Sequence, residues 1–404
     1  MKYDLVFEGG GAKGMALVSA YEEFVRRGHT PGRLLGASAG AITAVLIAAG
    51  YTATELLAVL SERVNDQPVF ATFLGDPPPF TPAEIHNSAI RTFLRNISFK
   101  LMPKTLQEQL DDGIAEELAG DARTRHLFAF VERGGWYVAD HFVTWLQTKL
   151  DSGLGPNGQP RQFSRMTLQQ FFAATQVDLS LVASDTTAGR LLVLNHNTAP
   201  DCPLVSAVRM SMSIPLVWDE VIWLASWGTY LGRSITNHAI VDGGLLSNFP
   251  LELFVSDEPQ VTRLMGPKQN NPVLGLLIDE SLPLPPLATQ RGLLVDVNIK
   301  PEELRTVQRI LRLVNAAITA HDKMVIDAFS HLVVHLPALG YGTTEFAMSD
   351  ARREALLTAG RNAMRAYFDQ PPAAAGASRG LEDPEAMNAK SIADRIALRL
   401  LEAV

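Results

Sequence analysis

Two glycine-rich turns in the first forty residues hold the groups that acyl-transfer chemistry requires. Gly9-Gly10-Gly11-Ala12-Lys13-Gly14 can turn backbone N–H groups toward an anion, and Gly36-Ala37-Ser38-Ala39-Gly40 lifts one serine onto a sharp turn. A nucleophilic hydroxyl beside an oxyanion hole is the minimal equipment for attack on a carbonyl. A third candidate stands far downstream. Asp242 ends the apolar run Ala239-Ile240-Val241, and Gly243 and Gly244 let the chain turn tightly behind it. A carboxylate at a strand end can take a serine proton directly. A plain Asp-Gly turn with a solvated acid fits the same spacing.

Other readings of these turns are weaker. Gly9, Gly11 and Gly14 match a dinucleotide-binding pattern, yet Leu34-Leu35 runs straight into the serine turn and leaves no acid to hold a ribose. The phosphate-cradling GxxxxGK[ST] pattern fails because Gly14 follows Lys13. A triad hydrolase would place an acid and then a histidine after the serine. Of His86, His126, His141, His196, His238, His321, His331 and His335, only His238 stands out, four residues before the Asp-Gly-Gly.

The elements that must carry these residues read as an α/β protein. Tyr3–Phe7 is a run of strand formers ending at the first glycines, and a helix is expected from about Met15 to Arg27. Leu34-Leu35 leads into the serine turn, and 41–49 reads as a buried, alanine-rich helix. Small residues at Gly36, Ala37, Ala39 and Gly40 allow the tight strand–turn–helix of a nucleophile elbow. Its helix would aim an N-terminal dipole at Ser38.

Residues 60–165 differ, with the proline run Asp76-Pro77-Pro78-Pro79, a basic-apolar patch at 95–104, and Trp136, Tyr137 and Trp145. They read as a mainly helical insertion capping the site, with 151–160 as its exit loop. Further strands are expected at 179–184, 190–194, 239–242, 273–278 and 332–336, and helices at 301–329 and 350–368. A linker at 371–379 precedes an amphipathic helix at 386–403, which can dock on the domain, pair with a second chain or regulate access. The expected division is therefore one domain over 1–370, with the insertion inside it, and a tail over 371–404.

Composition narrows the partners. The 404 residues are 47% hydrophobic and 19% charged, so the chain is globular, and a net charge of −8 argues against nucleic acid. One cysteine, Cys202, permits no intrachain disulfide. No apolar stretch approaches the roughly 20 residues that span a bilayer, and the opening residues enter a strand with no room for a leader. A cytoplasmic protein is expected, with peripheral membrane contact open. Trp218, Trp223 and Trp227, with Phe70, Phe73 and Phe80, suit a membrane interface, core packing or an acyl pocket alike.

The three landmarks in order, GGGAKG, GASAG and DGG, resemble the patatin-like phospholipases. The likeness extends to Leu181–Gly189, to 207–215 and to 342–349. It implies a three-layer α/β/α sandwich with a central, mostly parallel sheet, a helical cap, and a Ser–Asp dyad that uses neither metal nor cofactor. Carried over, Ser38 is the nucleophile and Asp242 the general base. Gly9, Gly10, Gly11 and Ala39 supply oxyanion N–H groups, with Gly14, Gly36, Gly40, Gly243 and Gly244 as motif support. Many relatives have arginine where this chain has Lys13, and lysine cannot make arginine's bidentate fork. Lys13 steadies the loop, attracts a phosphate head group, or is purely structural. The resemblance implies a lipid acyl hydrolase of phospholipase A or lysophospholipase type acting on phospholipid or other acyl-ester lipids. The alternative is a non-catalytic scaffold of the same fold with a vestigial site.

Overall fold

The computed structural model describes residues 1–96, 104–122, 124–284, 324–369 and 384–401. In chain order, β1 (Lys2–Phe7), α1 (Met15–Arg26), β2 (Thr30–Ala37), α2 (Ala39–Ala48) and α3 (Ala53–Leu60) lead into the long insertion. There the helices are Pro82–His86, Ala89–Asn96, Lys104–Gly120, Arg125–Glu132 and α4 (Asp140–Asp151). Then follow β3 (Leu179–Asp185), β4 (Arg190–Leu194), α5 (Leu204–Ser211), β5 (Val221–Ile222), β6 (Ala239–Asp242) and β7 (Val273–Asp279). β8 (Val333–Pro337), α6 (Asp350–Asp369) and α7 (Pro384–Leu401) complete the described chain. Most of the helix expected over 301–329, the linker at 371–379 and most of the basic-apolar patch lie outside the described residues.

The sheet runs β8-β7-β1-β2-β3-β6-β5, with β4 also paired to β3. From β8 to β3 every pairing is parallel, whereas β4 and β6 run antiparallel to β3. Alternation along each strand feeds two cores. Leu5, Phe7, Leu34 and Leu181 face a core shared with α1 to α6, and Val6, Leu35, Ala37 and Val182 face one shared with Leu253, Val261 and α7. Helices cover both faces, giving the three-layer α/β/α sandwich.

Pairing register brings the two candidate reactive residues together. β2 matches Leu34–Ala37 to Leu179–Val182 of β3, and β6 matches Asp242 to Ala183. β4 occupies the opposite edge of β3 over Leu181–Asp185. β2 and β6 therefore share one edge and run toward each other, so their carboxyl ends meet. Ser38 follows one end and Asp242 closes the other.

Candidate active site

Ser38 adopts φ 50° and ψ −121° as the residue that caps α2. A non-glycine residue held there costs of order 1–3 kcal/mol, which the surroundings must offset. They do so by close packing. A Cβ on Gly40 would lie 2.2 Å from the Phe7 carbonyl oxygen, and one on Gly36 would lie 2.5 Å from that of Gly40. Helix α2 thus starts hard against β1, a path open only to glycine. The buried Ser38 N–H donates to Ser211 Oγ at 3.2 Å.

Asp242 is buried, and its N–H donates to the Ser213 carbonyl at 2.8 Å. Oδ1 accepts the Gly244 N–H at 2.7 Å. Oδ2 is buried and accepts no hydrogen bond among the described residues. Burial raises the carboxyl from 3.8 to about 7, while the nearby Ser38 hydroxyl and the Gly244 N–H draw it down. The serine stands beside the carboxylate without donating to Oδ2, the looser contact common in unliganded sites. A Cβ on Gly243 would lie 2.5 Å from the Val182 carbonyl oxygen, so this turn tucks beneath β3 only as glycine.

The glycine turn differs from expectation at its first residue. The Gly9 N–H is committed to the Asn248 carbonyl at 3.1 Å, so Gly9 is no oxyanion donor. It serves as space, since a Cβ there would lie 2.9 Å from that of Ser38. The N–H groups of Gly10, Gly11 and Ala39 take no acceptor among the described residues. Gly11 has φ +53°, and Ala12 donates to the Thr343 carbonyl at 2.8 Å, which pins the turn to the 342–349 segment. A Cβ on Gly14 would meet that of Ala39 at 2.5 Å, so the two turns touch.

Several supporting residues escaped the sequence reading. Asn248 Nδ2 donates to Glu8 Oε1 at 3.1 Å and to the Gly9 carbonyl at 2.9 Å, tying the glycine turn to the chain after Asp242. Glu8 Oε2 in turn accepts the Ile278 N–H. Both residues adjoin the motifs, and a polar residue at the end of an apolar run was the available signal. Ser211 and Ser213 lie within 207–215 and carried no signal beyond the resemblance. Lys13 is buried and ion-paired with the exposed Glu280, so its ammonium is occupied with steadying the loop. Among the described residues no histidine lines the cavity beside Ser38. His238 Nδ1 meets Asp185 Oδ2 at 2.9 Å, and His335 Nδ1 meets Asp279 Oδ2 at 2.8 Å.

Ser38, Gly11 and Ala39 open onto a largely apolar cavity. Met15 and Val18 of α1, Ile42 and Leu46 of α2, and Leu56 and Val59 of α3 line it. Phe70, Phe73 and Trp145 from the insertion, with Met212, Ile214, Trp218 and Phe346, line the rest. Among the described residues no charged side chain does.

Burial overturns much of the membrane-anchor option for the aromatics. Trp223 is 0% exposed and donates through Nε1 to the Gly228 carbonyl at 3.1 Å. Trp218 is 2% exposed and donates to the Phe73 carbonyl at 3.0 Å. Phe73 and Phe80 are buried as well. Among the described residues no group of three or more His, Cys, Asp or Glu side chains could hold a metal, and no helix is long and apolar enough to cross a membrane.

Known proteins bear on this arrangement in three ways. The family model described as patatin-like phospholipase matches residues 5–255. The uncharacterized protein YqhO of Bacillus subtilis is 25% identical over 385 residues, covering 92% of this chain and 99% of its own. VipD from Legionella pneumophila matches 99% of this chain and 75% of its own at 16% identity and a TM-score of 0.42. The type III effector ExoU matches 91% of this chain but only 53% of its own, at 16% identity and a TM-score of 0.37.

Proposed function

This chain belongs to the patatin-like phospholipase family, and we propose that it is a serine-dependent lipid acyl hydrolase acting through Ser38 and Asp242. One observation carries the reading: a serine in strained elbow geometry borders a largely apolar cavity and stands beside a buried carboxylate whose pKa is raised to about 7. A cavity without charged lining suits a fatty acyl chain. The head group then stays outside, and the ester carbonyl lies at the serine.

Asp242 takes the proton as Ser38 Oγ attacks the ester carbon, and the carbonyl π pair becomes an oxyanion facing the N–H groups of Gly10, Gly11 and Ala39. Collapse breaks the C–O bond, and Asp242 returns the proton to the departing alcohol oxygen. Water then gives a proton to Asp242 and adds to the acyl-enzyme. The second collapse frees the fatty acid and restores the serine hydroxyl. A carboxyl near pH 7 suits both directions of transfer at neutrality. Each oxyanion donor is worth about 2.7–4 kcal/mol of barrier.

The helical insertion over 60–165 acts as a cap, contributing Phe70, Phe73 and Trp145 to the acyl site. Phospholipid or lysophospholipid is the proposed substrate class, drawn from a membrane surface or micelle. Incubation with mixed phospholipids tests the reading by product analysis. The parent should release free fatty acid and the Ser38→Ala variant none. Equal release by both would rule out the dyad, and no release by either would favour a vestigial scaffold.

A further inference from the structure

We propose that the run Ser211–Ile214 is a strap holding the two dyad residues in register, and that Ser211 is its positioning residue. This rests on the reading of Ser38 and Asp242 above. Helix α5 ends at Ser211, and its last hydroxyl accepts the N–H of Ser38 at 3.2 Å. Two residues on, the Ser213 carbonyl accepts the N–H of Asp242 at 2.8 Å. One short stretch of chain therefore grips the backbone of both reacting residues, although they come from different strands.

The alternation continues through the neighbouring residues. Met212 and Ile214 line the acyl cavity, while the Ser211 hydroxyl and the Ser213 carbonyl hold the backbone of the dyad residues. The strap is itself anchored. Arg209, buried, bonds Ser213 Oγ and reaches Asp219 Oδ1 at 2.5 Å, and Ser213 Oγ donates to the Arg209 carbonyl at 2.5 Å. Rigid support of this kind keeps a reacting pair within the small tolerance that catalysis demands.

Ser38 needs such support more than most residues. Its φ of 50° is disfavoured for a side chain, and a buried N–H at that point requires an acceptor. β2 has ended and α2 has not begun its ladder, so no backbone carbonyl takes it. The Ser211 hydroxyl does, fixing the plane of the 37–38 peptide and with it the direction of the Ser38 side chain. Ser211 touches neither substrate nor the reacting atoms.

The test compares the parent with Ser211→Ala and Ser211→Thr, using a long-chain p-nitrophenyl ester for turnover and a fluorophosphonate for the rate of Ser38 labelling. Ser211→Ala should lose about tenfold in kcat, the worth of one neutral hydrogen bond felt in the transition state. Its KM should stay unchanged, because the acyl cavity is intact, and its labelling should slow by a similar factor. The pH midpoint of kcat/KM should not move, since Asp242 keeps its surroundings. Ser211→Thr, which retains the hydroxyl, should recover most of the rate. A labelled parent with a Ser211→Ala variant of equal kcat and labelling rate would overturn the proposal alone. So would a loss shared between kcat and KM that threonine fails to restore. A parent that takes no label overturns the Ser38 assignment, and the strap with it.

Discussion

Replacing Asp242 by asparagine should remove activity and strengthen the fold, and the size of the second effect follows from burial. The native carboxyl titrates near 7, against an ordinary aspartate value of 3.8. The unfolded chain therefore ionises first. Below pH 3.8 both states hold the proton and the group has no effect on stability. As pH rises from about 4 to 7, the native state resists ionisation and loses stability against the unfolded chain. Above 7 the loss is constant. At about 1.36 kcal/mol per pH unit, the penalty at pH 8 amounts to about 4 kcal/mol. Asparagine has no charge to bury and keeps an oxygen for the Gly244 N–H. The Asp242→Asn variant should thus be more stable than the parent at pH 8 by up to about 4 kcal/mol, an advantage that shrinks toward zero near pH 4. Urea unfolding of both proteins at pH 4, 6 and 8 reads this directly. Turnover should run the other way, falling by about 10²–10⁴-fold without the base. Parent kcat/KM should rise with pH to a plateau above about 7. A variant destabilised equally at pH 4 and pH 8 would refute the claim that burial sets the state of Asp242.

Ile42, Thr43 and Leu46 lie on the face of α2 that leads away from Ser38, placing Leu46 about 12 Å from it along the helix axis. Leu46→Trp should fill the inner cavity and displace about two methylenes of a long acyl chain, about 1.6 kcal/mol at ~0.8 each. The ratio of kcat/KM for a long-chain ester to that for a butyrate ester should fall roughly tenfold; an unchanged ratio would mean that the chain lies elsewhere. Helix α7 buries Ala393, Ile396, Ala397 and Leu401 against the second face of the sheet, and Asp394 accepts the Ser256 hydroxyl at 2.5 Å. Chain ending at residue 380 should therefore unfold at a lower urea concentration and bind a hydrophobic dye. A truncated protein as stable as the parent would show that the helix adds nothing to the core.

The serine elbow was legible because its constraints are local. Only small residues fit between Phe7, Gly36 and Gly40, and the sequence supplies them where a strand former meets a helix former. Strand positions were legible for a similar reason, and Arg190–Leu194 and Ala239–Asp242 fall where alternation and apolar runs place them. What escaped depends on distant chain. Gly9 loses its role as a donor to the carbonyl of Asn248, and Ser38 is held by a hydroxyl from α5. Neither relation leaves a periodicity or a spacing to read. Trp223 could be assigned to a surface or a core by composition alone, and only the Gly228 carbonyl waiting for its indole N–H decides for the core. Asp242 shows both sides. Its place at a strand end was readable, whereas its raised pKa arises from burial where β2 and β6 meet end to end.

Covalent labelling tests whether Ser38 is a nucleophile activated by Asp242. The protein is incubated with a long-chain fluorophosphonate at pH 8, digested, and its peptides weighed. A single adduct is expected on the peptide containing Ser38, strongly slowed in Asp242→Asn and absent in Ser38→Ala. An unlabelled parent, an adduct on another serine, or an Asp242→Asn variant labelled as fast as the parent would contradict it.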